Sequence, residues 1–259
     1  MLILAYISSL FIGLSLGLIG GGGSILAVPV LVYLAGVDPV LATAYSLFIV
    51  GMTSLFGAVQ KYRQGLVNLK VAMTFGLPSV ISVYLTRKFL MPAIPEIIWE
   101  MDSFTLTKSG GIMVLFSVMM IVASYSMIKK GSFTNKIKAG AFIIILEGIV
   151  VGVLTGLVGA GGGFLIIPAL VVFLGLDMKI AVGTSLAIIA FKSLFGFVGD
   201  LSIGREIDWS LLLWFSSIAV SGIFIGNSFS QKIKAEKLKT YFGYFVLVVG
   251  MYILAKQFI

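Results

Sequence analysis

Eight apolar stretches close to membrane-spanning length run through this chain, and no soluble fold can bury them all. They cover residues 2–19, 41–59, 71–86, 110–128, 138–158, 180–198, 209–227 and 240–258. A membrane helix needs about 20 apolar residues. Two shorter apolar stretches, 24–35 and 163–174, each follow a glycine cluster. Hydrophobic residues make up 59% of the chain and charged residues 11%. A soluble domain averages about 45–50% and about 25%, so lipid must be the solvent for most of this chain. That excludes a soluble enzyme, a coiled coil and a disordered linker. The first stretch lacks a basic leader and runs without a cleavage site into Gly20–Gly23, so it is expected to be a retained helix.

With no Cys and no His, Cys/His zinc sites, thiol chemistry, haem ligation by His and His-based triads are excluded. No cofactor, metal site or enzymatic activity is expected. The net charge of +8 sits in short loops between apolar runs, where the positive-inside bias puts it. The expected partner is therefore the bilayer, and not nucleic acid. The oligomeric state is left open.

The chain is duplicated. GLSLGLIGGGGSILAVPVLVYLAGVD (Gly13–Asp38) aligns with GVLTGLVGAGGGFLIIPALVVFLGLD (Gly152–Asp177) at an offset of 139 without a gap. The match continues through AYSLFIVGMTSLFGAV (Ala44–Val59) and GTSLAIIAFKSLFGFV (Gly183–Val198), with roughly 20 of the 47 positions identical. One inserted residue then brings Val67–Leu69 onto Ile207–Trp209. Duplication of this kind is a hallmark of secondary transporters.

Loop charge orients the copies. Loops 60–70, 129–138 and 229–239 carry three, four and four Lys/Arg against at most one acid, and read as cytoplasmic. Loops 87–109 and 199–208 are balanced or acidic and read as external. An odd number of crossings must separate loop 129–138 from loop 199–208. Segment 180–198 supplies one, so 138–174 must double back at its glycines. The expected fold is an all-α polytopic membrane protein of two inverted-topology repeats, each a Gly-turned helical hairpin plus three transmembrane helices. The first repeat spans 1–130 (hairpin 2–35, helices 41–59, 71–86, 110–128) and the second 131–259 (hairpin 138–174, helices 180–198, 209–227, 240–258). Both termini then lie outside, in the plasma (inner) membrane. Segment 91–109, with Trp99 and three acids, has no counterpart in the second half and reads as a loop or an external lid.

A glycine turn inside the bilayer exposes backbone polar groups, which are tolerated only against protein or a wet cavity. Each cluster precedes a short helix whose first N–H groups lack partners and whose dipole is positive there, a ready anion site. Gly21, Gly22, Gly23 and Ser24 in the first turn, and Gly161, Gly162 and Gly163 in the second, are therefore candidate binding residues, meeting from opposite faces near the midplane. Gly13/Gly17 and Gly152/Gly156 read instead as small-xxx-small packing.

Polar residues repeat on the two signature helices, 41–59 and 180–198: Tyr45, Ser46, Thr53 and Ser54 correspond to Thr184, Ser185, Lys192 and Ser193. Ser46 and Ser54 share a helix face about 12 Å apart. These groups can donate to an oxyanion, or bond locally within the helices. Glu147 and Lys192 are the two charges expected inside spans. A charge there costs about 2.5–3.5 kcal/mol and is a functional hypothesis by default. Lys192 is expected to face an anion cavity. Glu147 is expected to neutralise Lys192, carry a coupling proton or sit protonated. Gln60 and Asp200, which end the signature helices, are candidate gates. Asp38 and Asp177 read as N-caps.

GLIGGGGSILAVPVL with AYSLFIVGMTSLFGAVQKYRQGLVNL, and the second copy GLVGAGGGFLIIPALV with GTSLAIIAFKSLFGFVGD, resemble the sulfite exporter TauE/SafE family across both halves. The resemblance implies transport of sulfur-containing anions such as sulfite or organosulfonates. The family's Thr-Ser pair is matched by Thr184–Ser185, whereas the first copy reads Tyr45–Ser46, and a His common near the end of the first signature helix is Gln60 here. An inside-negative potential drives anions out, by about 2.3 kcal/mol per charge per 100 mV, so the expectation is export by alternating access at a midplane site. The alternatives are an anion importer or channel, and a non-transporting membrane assembly subunit.

Overall fold

A computed structural model describes residues 2–101, 104–128, 141–172, 174–230 and 235–257. The basic loop 129–138 lies outside the described residues, as does part of loop 229–239. In chain order the first half comprises α1 (Leu2–Ile19), a 3-10 turn (Gly21–Leu26), α2 (Ala27–Tyr33), α3 (Pro39–Arg63) and α4 (Leu69–Leu85). A π turn (Thr86–Leu90), α5 (Met91–Ala93), β1 (Ile97–Met101), β2 (Phe104–Thr107) and α6 (Lys108–Ile128) complete it. The second half comprises α7 (Ala141–Val158), α8 (Gly163–Val172), α9 (Met178–Leu201), α10 (Trp209–Ser230) and α11 (Ala235–Lys256).

Among the described residues five helices are long and apolar enough to cross a membrane: Pro39–Arg63, Leu69–Ala93, Lys108–Ile128, Met178–Leu201 and Trp209–Ser230. Their outer faces are apolar too. Met73, Leu77, Ile81 and Leu85 form an exposed stripe at four-residue spacing along α4, as a helix facing lipid requires. The described residues are predominantly helical, as expected, with shorter apolar helices at Ile3–Ile19, Phe142–Val158 and Thr240–Lys256 and one amendment to the all-α reading. Segment 91–109 contains an antiparallel ribbon pairing Ile97 with Thr107 and Trp99 with Leu106, with an irregularity between Ile97 and Trp99. Trp99 is exposed on it.

Packing is organised around α3 and α9, which cross antiparallel. A Cβ on Gly51 would lie 2.9 Å from Leu194 Cγ, and one on Gly196 would lie 3.1 Å from Leu47 Cδ1, while Gly183 abuts the Leu66 carbonyl. The rings of Phe48 and Phe197 sit 5.0 Å apart. Around this pair, α1 packs on α10 and α7 on α4, α4 on α9 and α10 on α3, and α6 on α11. Exchanging the two halves maps this pattern onto itself. Gly13 fits against Ala219 and Gly17 against Ile223 and Gly226, while Gly152 fits against Ser79 and Gly156 against Thr86. These four glycines let helix backbones approach closely, as small-residue packing in membranes does.

Caps repeat as well. Asn68 Oδ1 accepts from Val71 N at 3.1 Å, and Asp208 Oδ1 accepts from Leu211 N at 3.0 Å. Asp38 Oδ1 accepts from Val40 N and Leu41 N, capping α3 behind Pro39. Asp177 occupies the equivalent position before α9 without a side-chain cap bond, which corrects the expectation that both aspartates cap.

Candidate functional site

The two glycine turns touch. A Cβ on Gly21 would overlap the Gly163 backbone, and one on Gly163 would overlap Gly21. The turns reach this contact by different backbone routes. In the second, Gly159, Gly161 and Gly162 have φ of 74°, 63° and 65°, a left-handed region that L side chains avoid. In the first, only Gly20 has positive φ, at 77°. Gly21, Gly22, Gly23 and Ser24 wind into a 3-10 turn, and Ser24 Oγ donates to Gly21 O at 2.8 Å. The short helices that follow carry Pro29 and Pro168.

The second turn is clamped by side chains from both neighbouring elements. Ser46 Oγ on α3 donates to the Gly159 carbonyl at 2.8 Å. A Cβ on Gly161 would lie 2.7 Å from Val50 Cγ1 and 3.2 Å from Ser24 Cβ. Lys192 arrives from α9: its Nζ would be 2.9 Å from a Cβ on Gly162, and it donates to Thr155 Oγ1 at 3.2 Å. Lys192 is 0% exposed. Among the described residues no carboxylate pairs with it, and Thr155 is its one hydrogen-bond acceptor. An ammonium held this way is costly unless something anionic joins it. Ser193, next in sequence, and its repeat counterpart Ser54 are both fully buried, with hydroxyls that meet no described partner.

The other hydroxyls are engaged elsewhere. Tyr45 OH accepts from Asp208 N at 2.6 Å, and Thr184 Oγ1 accepts from Asn68 N at 3.0 Å. These repeat-related bonds anchor the starts of α10 and α4, well away from Lys192. Thr53 donates to Ile49 O and Ser185 to Val182 O, each within its own helix. Tyr45→Phe is therefore expected to lower stability by about 1 kcal/mol, the value of one ordinary hydrogen bond, read as a lower melting temperature. Its dependence on added oxyanion should match the wild type.

Glu147 is half-buried on α7, and no described cation pairs with it. It lies eight residues from Thr155, about 12 Å along the helix. The expected neutralisation of Lys192 by Glu147 is corrected accordingly: the lysine bonds Thr155 instead.

The expectation that only Glu147 and Lys192 lie inside spans is also corrected. Lys61, Arg87, Lys108 and Asp200 are buried within helical elements. Arg87 projects from the π turn and is 0% exposed. Its Nη1 lies 3.3 Å from Asp200 Oδ2 and donates to Thr43 Oγ1 at 3.0 Å. Arg205 Nε lies 3.2 Å from Asp200 Oδ1. At the far end of α3, Asn227 Nδ2 donates to Gln60 Oε1 at 2.7 Å. Because α3 and α9 are antiparallel, Asp200 and Gln60 mark opposite ends of the central pair.

Two of these residues went unread in the sequence. Thr155 aligns with Leu16, so the duplication hid it, although it is the one hydroxyl on α7 before the turn. Arg87 sits one position beyond an apolar run, where its charge reads as part of loop 87–109.

This architecture defines a multi-pass membrane protein. The family model described as "Sulfite exporter TauE/SafE" matches residues 5–253, and the chain belongs to that family. It is 26% identical over 254 residues to a "Probable membrane transporter protein" of Xylella fastidiosa (strain Temecula1), covering 94% of this chain and 91% of the relative. It is 26% identical over 230 residues to the "Probable membrane transporter protein YdhB" of Bacillus subtilis (strain 168), covering 88% and 90%. A further "Probable membrane transporter protein", from Methanocaldococcus jannaschii, is 25% identical over 265 residues, covering 97% and 94%. No solved structure matches the chain.

Proposed function

We propose that this protein is a permease that exports a small sulfur-containing oxyanion, sulfite or an organosulfonate, by alternating access. Its binding site lies at the midplane between two inverted-topology repeats, residues 1–130 and 131–259. The observation that carries this reading is Lys192: a fully buried amino group without a described carboxylate, held against the second glycine turn where the two turns meet. Gly161, Gly162 and Gly163 offer backbone to the anion, Thr155 orients the ammonium, and Ser54 and Ser193 supply unengaged hydroxyls. The first turn, Gly21–Ser24, closes the opposite side.

The inverted relation is supported by the antiparallel crossing of α3 with α9 and by the contact pattern that survives exchange of the halves. α6 and α11 cross antiparallel too, with Gly243 beside Met127 and Gly250 beside Met120. Alternating access follows if the polar clusters at the two ends open in turn: Asp200 with its arginines at one, Gln60 with Asn227 at the other. Glu147, outside both clusters and away from the ammonium, remains the candidate for carrying a coupling proton.

The test is efflux of sulfite from loaded proteoliposomes under an imposed potassium-diffusion potential. Inside-negative voltage should accelerate efflux, since an anion leaving down 100 mV gains about 2.3 kcal/mol per charge. Efflux indifferent to voltage would remove the electrogenic exporter, and no efflux under any voltage would remove sulfite as the substrate.

A further inference from the structure

We infer that Arg87 is a second oxyanion-binding group, one that receives the anion at the Asp200 end of the bundle before or after it occupies the Lys192 site. The inference rests on the reading of the chain as an anion permease and adds a binding residue to it.

The argument begins with which guanidinium nitrogens are engaged. Nη1 carries both contacts, to Asp200 Oδ2 and to Thr43 Oγ1. Nε and Nη2 are buried and meet no described hydrogen-bond partner. These two nitrogens form the side-on edge of the guanidinium, a pair of parallel N–H donors spaced for two oxygens on one centre. A carboxylate pair built for stability engages such an edge. Here it is left free, and burying donors unmet is unfavourable. A tetrahedral or pyramidal oxyanion satisfies both at once.

The surroundings favour an anion and provide its competitor. Two guanidinium groups, of Arg87 and Arg205, share the single carboxylate of Asp200, so the cluster carries one net positive charge. Asp200 holds Arg87 through Nη1 and competes with an incoming anion for the same positive charge without occupying the free edge. Arg87 also sits on a π turn, an irregularity frequent at functional sites. It is linked to the inner site as well. Thr43, which accepts from Arg87, abuts Gly159 at the start of the second glycine turn, and Gly162 in the same turn lies against the Lys192 ammonium.

The duplication sharpens the point. At the opposite end the counterparts of Arg87 and Asp200 are Asn227 and Lys61, so Arg87 has no buried counterpart there, and Arg63 in the last turn of α3 is exposed. The Gln60–Asn227 contact is neutral. The anion-binding fork therefore belongs to one end alone, an asymmetry laid on a nearly symmetric frame.

The experiment uses the full chain purified in detergent, with melting temperature followed against sodium sulfite or sodium sulfate at ionic strength matched with sodium chloride. Arg87→Lys keeps the charge and the pairing with Asp200 but has no fork, and should weaken the apparent oxyanion affinity at least ten-fold. Asp200→Asn removes the competitor, and should tighten it at least five-fold although the anion-free protein melts lower. If Arg87 is purely structural, both variants melt lower with the wild-type oxyanion dependence, and the inference is overturned. Should Arg87→Lys not fold, Asp200→Asn decides alone. Lys192→Met separates the two readings. Loss of affinity there with none in the Arg87 and Asp200 variants keeps the midplane site and removes Arg87. The reverse keeps Arg87 and removes the midplane site. Oxyanions that never shift the wild-type melting temperature remove both.

Discussion

Replacing Lys192 with methionine is expected to weaken sulfite binding about ten- to a hundred-fold while raising the melting temperature of the anion-free protein. The first effect is the loss of a charged hydrogen-bond donor, worth about 1.5–3 kcal/mol. The second has the opposite sign because the wild-type ammonium is fully buried with Thr155 as its one described acceptor. An uncompensated buried charge is destabilising, and an apolar side chain of similar volume removes that penalty. Lys70→Met is the control, since Lys70 is exposed at the start of α4 and should change neither quantity. Sulfite-dependent melting and proteoliposome efflux measure the pair of effects. A variant that melts lower and binds as before would make Lys192 a packing residue and return the glycine turns to simple helix contact.

The second large effect concerns stability. Asp200→Leu leaves Arg87 and Arg205 facing an apolar side chain, and removing one partner of a buried pair costs about 3–5 kcal/mol. The double variant Arg87→Met, Asp200→Leu should recover most of that loss, because the hydrophobic replacement removes both fully buried charges together and leaves only Arg205, whose side chain is partly exposed. Thermal melting of the two single variants and the double variant forms a cycle whose interaction term isolates the pair. A double variant as unstable as the sum of the singles would mean that Asp200 acts through some other contact. Whatever its stability, the double variant should transport poorly if the cluster closes one end of the pathway.

Much of the architecture was legible in one dimension. Apolar run length located the helices within a few residues, because lipid offers no partner for exposed backbone and makes helix the necessary solution. The duplication predicted which elements correspond, and the structure packs α1 on α10 as it packs α7 on α4. The close-packing glycines were readable from their spacing, since three intervening residues return the chain to the same helix face.

The site was harder to read, for reasons that lie in side-chain reach. Tyr45 and Thr184 looked like ligands by position, yet each accepts from the backbone of a distant helix start. A hydroxyl in sequence does not reveal which bond it makes. Arg87 looked like loop charge because an arginine at the edge of an apolar run usually points to water. Here the π turn sets it between the end of α9, which brings Asp200, and the start of α3, which brings Thr43.

The sequence by itself determined the solvent, the helical architecture, the duplication and the family, because each follows from local composition or from similarity along the chain. Only the tertiary structure decided which polar groups are satisfied and which are held unmatched. Lys192 at the second turn, Thr155 beneath it and the free edge of Arg87 depend on contacts between residues dozens of positions apart. Burial turns such contacts into energy, and burial is a property of the packed bundle, not of any one helix.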